Sequence, residues 1–233
     1  MQPDTTFVIV AAGRGDRFGH TAKVILPLAG KELLRWSIDA ACSAASVGEI
    51  VVVAGPHTID DIQHLVMIFP PARPVSVVIG GATRQESVAA GVAAVGPDSA
   101  LVLVHDAARP LVTPDLIERC AEAAREHGAA IAAIPVTDTL KLVTGRRIDT
   151  TVPRDHLWAA QTPQAFQRPV IDEAIRWARG QTATFTDEAS LLEAIGKPVA
   201  IVEGSVLNLK VTYPADVRLA GALLAFQEAE QVR

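Results

Sequence analysis

Two cations, Arg17 and Lys23, follow an apolar run, Phe7-Val8-Ile9-Val10, across the small-residue stretch Ala11-Ala12-Gly13-Arg14-Gly15-Asp16-Arg17-Phe18-Gly19. A strand that ends in alanines and glycines lets backbone N–H groups close around an anion, because Gly carries no Cβ and takes φ > 0 readily. Arg17 and Lys23 add the charge that amides alone lack, so this spacing suggests phosphate binding; solvated cations on a turn are the plain alternative. Two better-known phosphate loops are excluded. A dinucleotide fingerprint needs a third Gly three residues after Gly15, where Phe18 stands, and a Walker A loop needs Gly before its Lys and Ser or Thr after, whereas Lys23 lies between Ala22 and Val24.

Further chemistry-bearing residues gather in two other loops. In Gly80-Gly81-Ala82-Thr83-Arg84, Thr83 and Glu86 form a capping-box pattern. Capping alone does not ask for paired glycines, which favours close approach of a flat ligand such as a nucleobase, with Ser87 one turn on. In His105-Asp106-Ala107-Ala108-Arg109-Pro110, an Asp at a strand's carboxyl end suits a metal or ribose hydroxyls, and an internal Asp106–Arg109 ion pair is equally open. His105 reads as a packed strand-end histidine. Lys141, Arg154 and Lys210, each taken alone, read as exposed edge-strand charges. Thr186-Asp187-Glu188, and Thr212 before Tyr213-Pro214, read as helix N-caps. Gln161-Thr162-Pro163-Gln164 reads as a turn with no electrostatic purpose. No Ser-His-Asp or Cys-His order and no His/Cys cluster stands out.

The elements that must position these loops are legible in the hydrophobic pattern. Phe7–Val10, Ile50–Ala54, Val75–Ile79, Leu101–His105 and Ala130–Pro135 are continuous apolar runs, the mark of strands buried on both faces. Helical patterns alternate with them near Glu32–Ala45, Thr58–Val66, Arg84–Val95 and Pro114–His127. The expected fold is therefore α/β, a mainly parallel sheet flanked by helices, with ligands bound beyond the carboxyl ends of the strands. The three loops should open on that one edge. Past Pro135, Thr139–Val143, a Gly145-Arg146-Arg147 turn and Ile148–Val152 read as a β-hairpin with few ways to bury its apolar residues alone, so packing on a partner subunit is expected. Helices return at Pro169–Arg179 and Asp187–Ile195, then a strand at Val199–Glu203 and a final helix from Pro214.

Composition narrows the function classes. The 233 residues suit one α/β domain, and 49% apolar content with 4% aromatics calls for a core of Ala, Val, Leu and Ile. A net charge of −5 argues against nucleic acid as a partner, so any phosphate site must be a local cluster of cations. Cys42 and Cys120 are far apart and read as reduced thiols of a cytoplasmic protein. No basic leader opens the chain, and no apolar run approaches the roughly 18 residues of a membrane span.

Taken together, the motifs resemble the 2-C-methyl-D-erythritol 4-phosphate cytidylyltransferase family of the non-mevalonate isoprenoid pathway. The matching pieces are Ala11-Ala12-Gly13-x-Gly15-x-Arg17 with Lys23; Gly80-Gly81 through Arg84 with Ser87-Val88; and Val104-His105-Asp106-Ala107-Ala108-Arg109-Pro110. Further on come Pro135-Val136-x-Asp138-Thr139-x-Lys141, Leu157-Trp158 with Thr162-Pro163-Gln164, Thr186-Asp187-Glu188-Ala189-Ser190, and Asn208-x-Lys210-Val211-Thr212. The chain departs from the family at Val10, where Pro is usual, and at Val24-Ile25, where an amide or small residue and an aromatic are usual.

The resemblance implies a Rossmann-like nucleotidyltransferase domain over residues 1–233 with a dimerisation arm at about 137–156. It implies attack of the methylerythritol phosphate on the α-phosphorus of CTP, with Arg17, Lys23, Lys210 and Arg154 as the catalytic cations. CTP would be bound by Ala11, Ala12, Gly13, Gly15, Gly80, Gly81, Ser87, Asp106 and Ala107. The polyol phosphate would be bound by Arg109, Thr139, Arg154, Thr162, Thr186 and Lys210, with Arg154 reaching across a homodimer. Mg²⁺ would be carried mainly by the CTP phosphates, with no protein ligand set. The nucleophile is already an anion, which fits the lack of a protein base or covalent nucleophile. A ribitol 5-phosphate cytidylyltransferase and a non-catalytic nucleotide-binding protein are the rival readings; the glycine spacing disfavours a dinucleotide-dependent oxidoreductase. The chain stops soon after its last helix, so no second catalytic domain is expected to be fused here.

Overall fold

The computed structural model describes residues 3–13, 18, 23–181, 183 and 185–231, with side chains to residue 226. Along the chain run β1 (Thr5–Ala11), a 3₁₀ turn (Lys23–Ile25), β2 (Pro27–Leu28), β3 (Lys31–Glu32), α1 (Leu33–Ser43), β4 (Val47–Ala54), α2 (Ile59–Ile68), β5 (Val75–Ile79), α3 (Arg84–Ala93) and β6 (Leu101–Asp106). There follow α4 (Pro114–His127), β7 (Ala129–Pro135), β8 (Leu140–Thr144), β9 (Arg147–Val152), β10 (Trp158–Gln167), α5 (Arg168–Ala178), α6 (Glu188–Ala194), β11 (Ala200–Glu203) and α7 (Pro214–Gln231).

β1 lies inside a seven-stranded sheet of order β11-β7-β10-β6-β1-β4-β5. The pairs β1–β4, β1–β6, β4–β5 and β7–β11 are parallel; β10 is antiparallel to both β6 and β7. The continuous apolar strands arise because both faces are covered. Phe7, Ile9 and Ala11 of β1 pack with α1, α2 and α4 through Leu34, Ile38, Ile62, Ile117 and Cys120. Val8 turns the other way, onto Val88 and Val92 of α3 and the α5–α6 layer of Ile171, Leu191 and Leu192. Each such side chain, fully buried, contributes about 1.5–3 kcal/mol, so a charge at Ile9 or Val8 would break the sheet from within.

After β1 the chain builds β4 and β5 on one side, then crosses to β6 on the other. The crevice beyond the carboxyl ends of β1 and β6 is therefore the topological switch point, where ligands of open α/β sheets bind. Ala11–Gly13, Gly80–Arg84 and Asp106–Arg109 all leave the sheet on that edge, as expected. A third apolar cluster, Leu28, Leu33, Leu111, Val211, Ala220 and Leu224, docks α7 beside the crevice and fixes the chain at Val211.

The sheet corrects one expectation. Gln161-Thr162-Pro163-Gln164 lies inside β10, not in a turn. Pro163 lacks an N–H, and the β7–β10 register shifts between Ala160 and Gln164, so this strand carries no period-two apolar pattern. Its amides are hydrogen-bonded throughout, as described below. The expected hairpin is present as β8–β9, a separate two-stranded sheet turned by Gly145 at φ 62°. Leu142, Val143 and Ile148 on it are exposed.

Candidate active site

Asp106, the last residue of β6, is the electrostatic hub of the crevice. Lys210 Nζ sits 2.7 Å from Asp106 Oδ2. Arg84 donates to Asp106 Oδ1 from Nη2 at 3.3 Å and from Nε at 3.4 Å. Burial pushes the Asp106 carboxyl upward, but Lys210 and Arg84 overcome it and hold the pKa at about 2, so the group is an anion at neutral pH. The expected alternative, an Asp106–Arg109 ion pair, is not the arrangement found. Arg109 donates instead to the carbonyls of Asn208 (2.7 Å) and Ala160 (3.4 Å), and its burial lowers its own pKa.

A hydrogen-bonded chain fixes the end of β6. The Asp106 backbone N–H donates to Thr162 Oγ1 at 3.1 Å, and His105 Nε2 lies 3.1 Å from the Arg109 carbonyl. A carbonyl only accepts, so Nε2 carries the proton and Nδ1 accepts from the Thr162 hydroxyl at 2.9 Å. Burial lowers the His105 pKa to about 4, leaving a neutral ring whose centroid lies 5.2 Å from that of Phe7, tilted by 31°. His105 is thus a packed strand-end histidine, as expected.

The segment 208–211 runs alongside 106–109: Val211 N–H donates to the Ala108 carbonyl at 2.8 Å, and Lys23 Nζ donates to the Val211 carbonyl at 2.8 Å. Lys23 and Lys210 therefore flank one short stretch of backbone. Val24 is buried in the core and Ile25 packs against it, so the departure at Val24-Ile25 is accommodated by apolar packing behind Lys23. Val10 pairs with Asp106 in the ladder and its carbonyl accepts from Ala107 N–H, roles any residue at a strand end fills. Gly15 and Arg17 lie outside the described residues.

The paired glycines have a packing reason of their own. A Cβ on Gly80 would stand 2.6 Å from Ser87 Oγ and 2.9 Å from Ala12 Cβ. One on Gly81 would overlap Glu86, whose carboxylate reaches back to the N–H groups of Ala82 (2.7 Å) and Thr83 (3.2 Å), while Thr83 Oγ1 accepts from Glu86 N–H. This capping box needs Gly81 after all. Ser87 Oγ donates to the Thr83 carbonyl at 2.9 Å.

Thr186 is exposed and precedes Asp187, which caps α6 by accepting from Ser190 N–H. Gln164 Nε2 donates to Asp187 Oδ2, and Gln164 Oε1 accepts from the N–H groups of Glu188 and Ala189. Gln161 likewise accepts from Ser205 N–H and Asn208 Nδ2. Thr212 does not act as a cap through its hydroxyl, which donates to the Lys210 carbonyl; Asp216 accepts from Thr212 and Tyr213 N–H instead.

The crevice therefore brings together Ala11, Ala12, Gly13, Lys23, Gly80, Gly81, Ser87, Asp106, Ala107, Arg109, Thr162 and Lys210, with Thr186 one residue before the α6 cap. Thr139 and Arg154 stand apart on the arm. Arg154 donates to the Thr137 carbonyl at its base, and among the described residues no hydrogen bond or ion pair joins either to Asp106, Lys210 or Arg109. Sequence reasoning gave no functional role to Arg84, Glu188, Gln161 or Gln164; the place of Arg84 just after the Gly80–Thr83 loop was a signal available, and the other three offered none of that kind.

Comparison with known proteins identifies the family and supports the fold. The family model for 2-C-methyl-D-erythritol 4-phosphate cytidylyltransferase matches residues 5–226. The enzyme of that name from Gloeobacter violaceus is 43% identical over 94% of this chain and 96% of its own length. The one from Prochlorococcus marinus is 44% identical, covering 94% and 98%. The solved structure of the Thermus thermophilus enzyme superposes with a TM-score of 0.78 at 36% identity, covering 94% of this chain and 98% of its own. That of the Anaerococcus prevotii 4-diphosphocytidyl-2C-methyl-D-erythritol synthase gives 0.84 at 28% identity, covering 95% and 98%. With a switch-point crevice that brings Lys23, Arg109 and Lys210 together and relatives matched over nearly full length, the chain belongs to the 2-C-methyl-D-erythritol 4-phosphate cytidylyltransferase family of nucleotidyltransferases.

Proposed function

We propose that this enzyme joins CTP to 2-C-methyl-D-erythritol 4-phosphate at the β1–β6 crevice. A phosphate oxygen of the methylerythritol phosphate attacks the α-phosphorus of CTP. The bond from that phosphorus to the bridging oxygen of the β-phosphate breaks, and pyrophosphate leaves with the electron pair. The carrying observation is the Lys210–Asp106–Arg84 cluster beside Lys23: cations held at fixed positions where two polyanions would have to meet. Positioning and fixed charge carry such transfers, and no protein base is required.

In this reading Ala11–Gly15 wrap the triphosphate, with Arg17 and Lys23 on its charges. Gly80, Gly81 and Ser87 border the cytosine, and the ionised Asp106 with Ala107 accepts from the ribose hydroxyls. Arg109, Thr162, Thr186 and Lys210 hold the polyol phosphate, joined by Thr139 and Arg154 from the arm of a second copy. The exposed apolar residues of the arm support such a homodimer. Mg²⁺ belongs to this reading as a companion of the CTP phosphates. The donor set fits that and not a protein cage: among the described residues no group of three His, Cys, Asp or Glu could hold an ion, and the carboxylates of the cluster already face cations. When bound, Mg²⁺ supplies neutralising charge to the triphosphate. Two unpaired cysteines support a cytoplasmic setting, and among the described residues no helix is long and apolar enough to cross a membrane.

The test is pyrophosphate release with methylerythritol phosphate and each of the four nucleoside triphosphates, repeated with ribitol 5-phosphate. CTP with methylerythritol phosphate should be the productive pair. Silence with that pair, or equal turnover of ribitol 5-phosphate, overturns the reading.

A further inference from the structure

Arg84 belongs to none of the substrate contacts above, yet its guanidinium is the most fully engaged group in the crevice. Its position is fixed from behind, as the first residue of α3 after the Thr83–Glu86 capping box. Its Nη1 and Nη2 reach the two carboxylate oxygens of Glu188 at 2.7 and 3.1 Å, while Nε and Nη2 face Asp106 Oδ1. One planar fork thus spans two carboxylates on different elements, a task for which Lys, with a single nitrogen, is the wrong shape. Glu188 is equally fixed. It is the first residue of α6, its side chain is 5% exposed, and its N–H is held by the buried Gln164 of β10.

Stability alone does not explain this arrangement. Taking a Glu and much of an Arg out of water costs about what their attraction returns, and well-packed apolar residues usually do as well. Burial in fact pushes the Glu188 carboxyl upward. What the pair does achieve is a link. Arg84 follows Gly80-Gly81, Asp106 ends β6, and Glu188 lies two residues after Thr186, so one side chain ties the nucleotide-side loop, the strand-end acid and the sugar-phosphate-side loop together. By occupying Asp106 Oδ1 it also leaves Oδ2 to Lys210, and the four charges sum to zero.

We infer that Arg84 and Glu188 are a positioning pair that couples the two substrate pockets: the brace from Asp106 through Arg84 to Glu188 sets the Thr186 loop, so that a nucleotide in its pocket prepares the pocket for the polyol phosphate. This rests on the reading of the crevice given above. Neither residue is required to touch substrate.

The experiment uses the full chain and the variants Arg84→Lys and Glu188→Gln, which keep size while removing the fork or the charge. The Kd of methylerythritol phosphate is measured alone and with a saturating CTP analogue whose α–β bridge is a methylene group. KM for each substrate and kcat follow from the pyrophosphate assay. In the natural enzyme the analogue should tighten polyol phosphate binding at least about fivefold, within the usual range of coupling between sites. In both variants that ratio should fall to within about twofold of one, and KM for methylerythritol phosphate at saturating CTP should rise by about the factor lost, fivefold or more. The Kd of the CTP analogue measured alone should change less than about threefold, while its tightening by saturating methylerythritol phosphate should be lost by the same factor, because the coupling is reciprocal. A merely structural pair would lower the melting temperature and leave the ratio untouched. Variants that fold and keep the natural ratio and KM overturn the inference, as does failure of both to fold, which would make the pair a folding device. Glu188→Gln failing alone leaves Arg84→Lys, at a side chain 29% exposed and still cationic, to decide. A natural enzyme with no turnover sinks the reading of the site itself, a result separate from either.

Discussion

β6 and the β8–β9 arm both carry large apolar side chains, and these come to opposite ends. In β6 Leu101, Val102, Leu103 and Val104 are buried on both faces, and the strand delivers Asp106 to a crevice of fixed charges. On the arm Leu142 is 57% and Ile148 64% exposed, and Arg154 at its base donates to the Thr137 carbonyl. An isolated two-stranded hairpin is marginal in water at best. One chain therefore completes the charge cluster at the end of β6 by itself, whereas the arm leaves large apolar side chains uncovered.

The largest effect should come from breaking the completed half. Lys210→Ala or Lys23→Ala removes one fixed cation and should lower kcat about 10²–10³-fold, or roughly 2.7–4 kcal/mol, by analogy with loss of one preorganised donor. Single-turnover pyrophosphate release measures it, and near-natural rates in both variants would separate the crevice from the chemistry.

Next in size is the pH signature of the buried strand end. The folded His105 pKa of about 4 lies below its unfolded value of about 6.5. Between those values the unfolded chain binds a proton that the folded chain refuses, so stability falls as pH drops through this window and levels off below it. The full contribution is about 3 kcal/mol. Denaturant titrations at pH 7 and pH 4 should show a loss of that order, and an NMR titration should find the ring neutral at pH 5; a ring already protonated there would remove burial as its cause.

The arm should answer to a different partner. Arg154→Ala should raise KM for the polyol phosphate about 10–100-fold, equivalent to about 1.5–3 kcal/mol for a charge-assisted contact, while leaving the fold intact. The double variant Leu142→Asp with Ile148→Asp should yield a monomer by light scattering with the same kinetic defect. A natural enzyme that is already monodisperse as a monomer would make the arm an appendage and dissolve the contrast with β6.

How much of this was legible follows the same contrast. β1, β4, β6 and β7 were readable because burial on both faces leaves unbroken runs such as Phe7–Val10 and Leu101–Val104, and β5, though a half-exposed edge strand, by its β-branched run Val75–Ile79. The Asp106 loop and the glycine loops were readable because a parallel sheet puts all its carboxyl ends on one edge. β10 was not, because Trp158–Gln167 owes its place to amides: Gln164 holds the α6 N-terminus and Gln161 holds Asn208, contacts between residues far apart in the chain. Arg84 and Glu188 stayed silent for the same reason, being 104 positions apart. Gly81 was read toward a ligand when Glu86, five residues on, already needs the space.

The smallest predicted effect sharpens the comparison most directly, because it asks whether the two regions share one folding unit. Thr83→Ala removes the hydroxyl that accepts Glu86 N–H at the start of α3 and should cost about 1 kcal/mol. For a domain of this size that lowers the melting temperature by about 2–4 °C. Gly145→Ala at the arm's turn, where φ is 62° and no atom would touch the new Cβ, imposes a comparable strain of about 1–2 kcal/mol. The arm adds almost nothing to the buried core, so it can open without the core opening. Gly145→Ala should therefore leave the melting temperature of dilute, dissociated protein unchanged and weaken self-association instead, by roughly five- to thirtyfold for that strain. Equal losses of melting temperature in the two variants would mean that the arm melts with the sheet, and the division into a closed half and an open half would fail.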